Sequence, residues 1–403
     1  MIHYQTSIIT SSTPVSLQAM PTEFPGLDTV ELYIGRERDM GILGILPSHE
    51  KSLAQVVCNW NPDTIEFWHT SVYVTKALQH IRPTAIATYF PEITSADSHL
   101  AKSAIQALSN TMRLADAWGI GPVEIVCGRL AEECRRPGID CQAVIFDAED
   151  PARWRQRKID WLVEGLHELY EDVCSWDSER KTDITLSLEI EPGLLFVLQE
   201  AQDAAAVLKA TNEWKLIRKT GPHAGESYHF VSLNADLGHF QLMGQGVQPA
   251  WLWHAIFRDD VMGSPLDRTA NFHISDHPLN LVHCDCPPSR GGFNEIRPQA
   301  LASFAKGETA DVEGFTPWLN CFLCIAEYRR SVGAPALNIS LELEAEHDRD
   351  RVREGLKVVQ GALEDITQIR CDYAGQLDGL CRCSINGDEH WCPAYRAIHS
   401  TAK

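Results

Sequence analysis

Long apolar runs are missing from this chain. No stretch approaches the roughly 18 uncharged apolar residues that a membrane-crossing helix needs, so no membrane span is expected. Positive charge is also scarce. Lys and Arg total 35 against 55 Asp and Glu, and the formal net charge is −20. That balance opposes any partner held mainly through phosphates, because nucleic-acid binding rests on a basic surface. It leaves room for a small anionic substrate in a locally positive cleft. The opening MIHYQTSIITSSTPVSLQAM lacks a basic region and a compact apolar core, so no secretory leader is expected. There is no solenoid-type repeat and no low-complexity linker. The 13 cysteines are odd in number and scattered, which fits reduced thiols and a cytoplasmic location better than a disulfide framework.

What is present is an ordinary globular composition. The 403 residues are 44% hydrophobic and 22% charged, enough for one large domain or two ordinary ones around a sizeable core. From about residue 41 a short apolar run alternates with a longer segment of helical spacing. GILGIL (41–46), DTIEFW (63–68), TAIATYF (84–90) and PVEIVCG (122–128) read as strands. So do ITLSLEIE (184–191), YHFVSLNAD (228–236), TANFHIS (269–275) and LNISLELE (337–344). Between them, Leu100, Ala104, Leu108, Met112 and Ala115 form one helical stripe. Ile159, Leu162, Leu166, Leu169 and Val173 form another, and Val352, Leu356, Val359, Leu363 and Ile366 a third. Apolar strands alternating with amphipathic helices argue for a parallel sheet covered by helices. Eight such units over this length predict an α/β fold, a (β/α)8 TIM barrel over 41–370, with an open doubly wound sheet as the runner-up. Residues 1–40 form an N-terminal extension, unless IHYQTSIIT is the true first barrel strand. Residues 371–403 are a Cys-rich, loop-like tail.

In such a barrel the chemistry sits at the C-terminal ends of the strands. The fifth strand ends in LEIEPG, offering Glu189 and Glu191. The sixth ends in NADLGH, with Asp236 and His239. The seventh ends in HISDH, with His273, Asp276 and His277, and the eighth in LELE, with Glu342 and Glu344. Each alone has a bland reading as a surface residue, a turn or a packed core histidine. Together they do not, because a buried carboxylate costs several kcal/mol unless it is paired or ligated. A divalent cation explains the set. Mixed oxygen and nitrogen donors suit Mn²⁺, Mg²⁺, Co²⁺, Fe²⁺ or Zn²⁺, and the lack of thiolate argues against a closed structural zinc site. Within each Glu pair the two residues share a face, and the deeper one is the better ligand.

In this order and at these intervals, LSLEIEPG, LNADLGH, FHISDH and ISLELE resemble the metal-binding strands of the xylose-isomerase-like TIM-barrel superfamily. Its members include sugar isomerases, ketose 3-epimerases, dehydratases and endonuclease IV. The resemblance implies one divalent metal held by Glu189, Asp236, His273 and Glu342. It implies Glu189 and Glu342 as base and acid, and His239 as a hydrogen bonder to substrate. The expected reaction is isomerisation or epimerisation of a sugar, polyol or hydroxy-ketone, in which the metal polarises the carbonyl and stabilises the enediolate left by proton removal. A dehydratase or lyase of the same fold begins with the same step and is the first alternative. In the loop after the seventh strand, His283 and Asp285 fill positions that carry a second metal in some members, but Ser289 stands where a glycine is usual. Cys127 stands where an endonuclease-IV-like site needs histidine, and the charge of −20 also opposes that reading.

Further expected substrate contacts are His69, Glu191, Asp276, His277, His283 and Arg290. Trp68 is read as an apolar wall beneath a sugar ring and Arg297 as a contact to an anionic group. Glu66 lies in the segment read as the second strand, where family members often carry a glutamate. The barrels of this group are often oligomers, so a homo-oligomer acting on a small molecule is the expectation by analogy. The second alternative is a non-catalytic metal protein. It draws on Cys381, Cys383, His390 and Cys392 in the tail, whose spacing is not a standard zinc pattern, and on Cys321 and Cys324, a CxxC in a helix-like stretch.

Overall fold

The protein is described by a computed structural model, over residues 4–11, 20–35, 81–130, 150–191, 196–236, 239, 268–274, 337–342, 350, 352–357 and 359–360. Eight parallel strands close into a ring. In chain order they are β1 (Tyr4–Ser11), β2 (Thr29–Gly35), β3 (Arg82–Tyr89), β4 (Pro122–Val126), β5 (Thr185–Glu189), β8 (Val231–Asp236), β9 (Thr269–Ile274) and β10 (Leu337–Leu341). The strands β6 (Lys215–Ile217) and β7 (Ser227–His229) form a separate antiparallel hairpin. β1 pairs with both β2 and β10, which closes the circle. The (β/α)8 barrel is therefore the fold, and the open doubly wound alternative falls.

The ring bears out the alternative for its first member and corrects the reading of the second. IHYQTSIIT supplies the first barrel strand and TVELYIG the second, so the barrel starts at residue 4 and not at 41. GILGIL and DTIEFW lie outside the described residues, as does the Cys-rich tail, and the ring closes without them. The six later strands fall where their apolar runs put them.

The helices follow their caps and stripes. α1 (Ser98–Trp118) starts at Asp97, whose carboxylate accepts from the His99 N–H at 2.9 Å, and ends at Gly119 with φ +75°. Only glycine takes that left-handed turn without strain. α2 (Pro151–Ser175) starts at Asp150, which accepts from the Arg153 N–H at 3.0 Å, with Pro151 in the first turn. α3 (Ala201–Ala210) carries a capping box between Glu200 and Asp203. Ala104, Leu108, Met112 and Ala115 on α1, and Ile159, Leu162, Leu166, Leu169 and Val173 on α2, are buried against the outside of the barrel, as are Val352, Leu356 and Val359. No helix among the described residues is long and apolar enough to cross a membrane.

The strands alternate, and both of their faces are buried. In VSLNAD, the side chains of Val231, Leu233 and Ala235 turn toward the helices, while Ser232, Asn234 and Asp236 turn into the lumen. TLSLE, TANFHI and TVELYIG repeat the pattern with Ser187 and Glu189, Asn271 and His273, and Glu31 and Tyr33 inside. Most TIM barrels fill this space with branched apolar side chains. Here it is a hydrogen-bonded polar stack. Ser187 and Ser232 hydroxyls meet at 3.3 Å, and the Asn338 amide donates to Asn271 Oδ1 at 2.8 Å. Thr84 donates to Asn338 Oδ1 at 2.9 Å. Each buried polar group must find such a partner or cost about 1–3 kcal/mol.

Candidate metal and active site

The stack ends upward in a ring of ionisable groups, and strand register sets their heights. Glu189 pairs with Asn234, and Asp236 pairs with His273 on the next strand. His273 pairs with Ser340, and Glu342 follows two residues later on the same face. Its N–H donates to the Ile274 carbonyl at 3.2 Å, which holds it in line just beyond the strand end. The result is convergence. His273 Nδ1 lies 2.7 Å from Glu342 Oε2, 3.1 Å from Glu189 Oε1 and 4.0 Å from Asp236 Oδ2. One donor atom from each of the four residues lies within 4.8 Å of all the others.

The chemistry of this set fits a divalent cation. Ligands at about 2.0–2.2 Å from one ion are at most about 4.4 Å apart across it, so the four atoms need close in by only a few tenths of an ångström. Asp236 Oδ2 is fully buried, and no N–H donor reaches it among the described residues. Three carboxylates facing one imidazole also leave negative charge uncompensated. Glu189, Asp236 and His273 are shut off from solvent, while Glu342 keeps a side chain 24% exposed and so faces the barrel mouth.

The surrounding charges tune the groups in opposite directions. Burial alone would lower the His273 pKa, but Glu31, Glu342 and Glu189 outweigh it and hold it well above the usual histidine range. Asp236 is lowered to about 2. Burial pushes it up, but the His239 ring, a hydrogen bond with Glu342 and the His273 ring pull harder, and the His239 N–H donates to Asp236 Oδ1 at 2.8 Å. Burial pushes Glu124 well up, and the neighbouring Glu189 adds to it. Burial does the same to the Cys127 thiol at the end of β4. These are the opposed environments that active sites use to separate acids from bases.

The sequence-predicted residues divide cleanly. Glu189, Asp236, His273 and Glu342 come together. His239 and Glu191 stand beside them: His239 Nδ1 is 3.8 Å from Glu189 Oε1, and its Nε2 is 3.7 Å from Glu191 Oε2. The deeper glutamate of the LEIE pair is thus in the cluster and the outer one is on His239. His69, Asp276, His277, His283 and Arg290 lie outside the described residues. So do Trp68, Glu66, Glu344, Asp285, Arg297, Cys321, Cys324, Cys381, Cys383, His390 and Cys392.

Two lumen carboxylates escaped the sequence reading. Glu31 on β2 is fully buried, and its Oε1 lies 3.2 Å from His273 Nε2. Glu124 on β4 accepts from the Thr88 N–H at 3.1 Å and sits against Glu189. The glutamate expected on the second strand is therefore Glu31 and not Glu66. The signal was a single charge inside an otherwise apolar run, in TVELYIG and in PVEIV.

No protein-family model matches the chain, and no curated protein matches it. Solved structures do. A candidate xylose isomerase from Rhodospirillum rubrum aligns at TM-score 0.50 and 13% identity, over 90% of this chain and 99% of that one. The chain shares the TIM-barrel fold of that structure. An L-ribulose 3-epimerase aligns at TM-score 0.48 and 11% identity, over 90% of this chain and 96% of that one. An IolI protein that binds a zinc atom aligns at TM-score 0.45 and 13% identity, over 90% and 99%. Only the first of the three reaches a TM-score of 0.50, and at 13% identity it speaks for the fold alone. The site rests on its own geometry.

Proposed function

We propose that this chain is a divalent-metal-dependent isomerase or epimerase of a sugar, polyol or hydroxy-ketone-like small molecule. The observation that carries the reading is the convergence of Glu189, Asp236, His273 and Glu342 at the mouth end of the lumen, with donor atoms within 4.8 Å of one another. A bound cation supplies Lewis-acid stabilisation of the negative charge that develops on substrate oxygens.

The chain's own groups do the rest. In this reading Glu189, at the end of β5, and Glu342, just beyond β10, act on a substrate carbon from its two faces. One takes the proton and the other returns it. That exchange inverts the carbon, or moves the carbonyl when the proton returns to the neighbouring atom. His239, held by Asp236 below and Glu191 beside it, is placed to hydrogen-bond a substrate oxygen. The polar wall of Ser, Asn and Glu beneath keeps the ring oriented without presenting a basic surface. With a net charge of −20, a small molecule suits this mouth and a nucleic acid does not.

The test is turnover of a panel of ketoses, aldoses and polyol-derived ketones in D₂O, on protein loaded with Mn²⁺, Mg²⁺, Co²⁺ or Zn²⁺. Solvent deuterium should enter the carbon next to the carbonyl. Glu189→Gln and Glu342→Gln should each lower kcat by about 10²–10⁴-fold while the fold survives. Near-normal turnover in either variant would sink the assignment. A product with a new double bond would make the protein a lyase.

A further inference from the structure

Glu31 lies one layer below the four converging residues and touches only one of them. Its carboxylate receives the Asn271 amide at 3.1 Å on Oε1 and 3.2 Å on Oε2, and the Ser340 hydroxyl on Oε2. Asn271 is fixed in turn. Its Oδ1 accepts from Asn338 Nδ2, whose Oδ1 accepts from Thr84 Oγ1. This chain sets the amide orientations, so Asn271 must present its NH₂, and not its oxygen, to Glu31. The same Oε1 that accepts from Asn271 lies 3.2 Å from His273 Nε2, and its second lone pair is available to that ring nitrogen. Both residues are fully buried, so no water competes for that contact.

The opposite ring nitrogen, Nδ1, is the atom that meets Glu189 and Glu342. A neutral imidazole carries one N–H, and which nitrogen holds it follows from the partner of the other. We propose that Glu31 is the positioning residue of this site: by accepting from His273 Nε2–H it keeps the Nδ1 lone pair aimed at the cation and the ring plane fixed. Strands β2 and β9 are not neighbours in the ring, with β1 and β10 between them, so the contact also ties two separated strands at the level of the site. Outer partners of this kind typically change metal affinity by 10–100-fold.

The inference rests on the metal-site reading of the proposed function, and the experiment separates the two. Metal-free wild type, Glu31→Gln and Ser340→Ala are titrated with Co²⁺ and with Zn²⁺ against a competing chelator. The visible spectrum of the Co²⁺ form and the melting temperature of each metal-free protein are recorded alongside. Glu31→Gln keeps the shape and an acceptor oxygen but loses the charge. It should weaken binding by about 10–100-fold and shift the Co²⁺ bands, with little change in the metal-free melting temperature. Ser340→Ala removes one donor to Glu31 and should weaken binding in the same direction by less. It decides the matter if Glu31→Gln does not fold. Wild-type affinity and an unchanged Co²⁺ spectrum in the variants, with metal bound by wild type, would overturn the role of Glu31 alone. Wild type that takes up neither ion would overturn the metal-site reading and this inference with it.

Discussion

Glu124 offers a perturbation whose sign runs against intuition. Its carboxyl is buried in the lumen beside Glu189, and burial followed by that neighbour raises its pKa well above the usual range. In the unfolded chain a glutamate ionises near 4.3. The folded state therefore binds a proton that the unfolded state does not, and stability falls as pH rises above about 4.3. Keeping one glutamate neutral at pH 7 costs at most about 3.7 kcal/mol. Glutamine has the same shape, is neutral at every pH, and can accept from the Thr88 N–H and donate to Glu189. Glu124→Gln should then stabilise the metal-free protein at pH 7 by about 1–3 kcal/mol, allowing for local relaxation. With an unfolding entropy of about 0.85 kcal/mol/K for 403 residues, the melting temperature rises by about 1–4 °C. The assay is thermal unfolding of chelator-treated protein from pH 4 to 8. The gain should grow with pH and vanish near pH 4. A variant no more stable than wild type at pH 7, or a difference independent of pH, would refute the reasoning.

Two further expectations are simpler to check. A cation that binds only the folded state, present at 100 times its dissociation constant, adds about 2.7 kcal/mol, or about 3 °C in melting temperature, and Asp236→Asn should abolish the increment. His229 is half-buried beside the Arg268 guanidinium, and burial followed by that charge lowers its pKa to about 4. The unfolded state, with a histidine pKa near 6.5, binds the extra proton between those values, so stability drops as pH falls from about 6.5 to 4. The acid limb of the melting profile should be shallower in His229→Gln than in wild type.

Much of this was legible in the chain because strand order and strand-end chemistry leave local marks. LSLEIE, LNAD, NFHIS and ISLE each combine an apolar outward series with polar residues at period two, and a closed parallel ring has no other place to put them. The first strand was left open and the second misread for a local reason. GILGIL and DTIEFW together are no less apolar than IHYQTSIIT and TVELYIG, and no residue in either pair states which will close against LNISL. That choice is made by long-range pairing, here between β1 and β10, more than 320 positions apart. Glu31 and Glu124 were missed because one glutamate in a short strand reads equally well as solvent-facing. Only the ring shows that both faces of those strands are buried. The polar lumen was missed for the same reason: alternation normally signals one wet face, and here the second face is the inside of the barrel.

The central claim is that Glu189, Asp236, His273 and Glu342 hold a metal ion. Elemental mass spectrometry of purified wild type beside Asp236→Asn tests it most directly. The account predicts about one equivalent of Mn, Fe, Co or Zn in wild type, or after reconstitution with Mn²⁺, Mg²⁺, Co²⁺, Fe²⁺ or Zn²⁺, and its loss in a variant that stays folded. Metal absent from reconstituted wild type, or retained undiminished by Asp236→Asn, would contradict it.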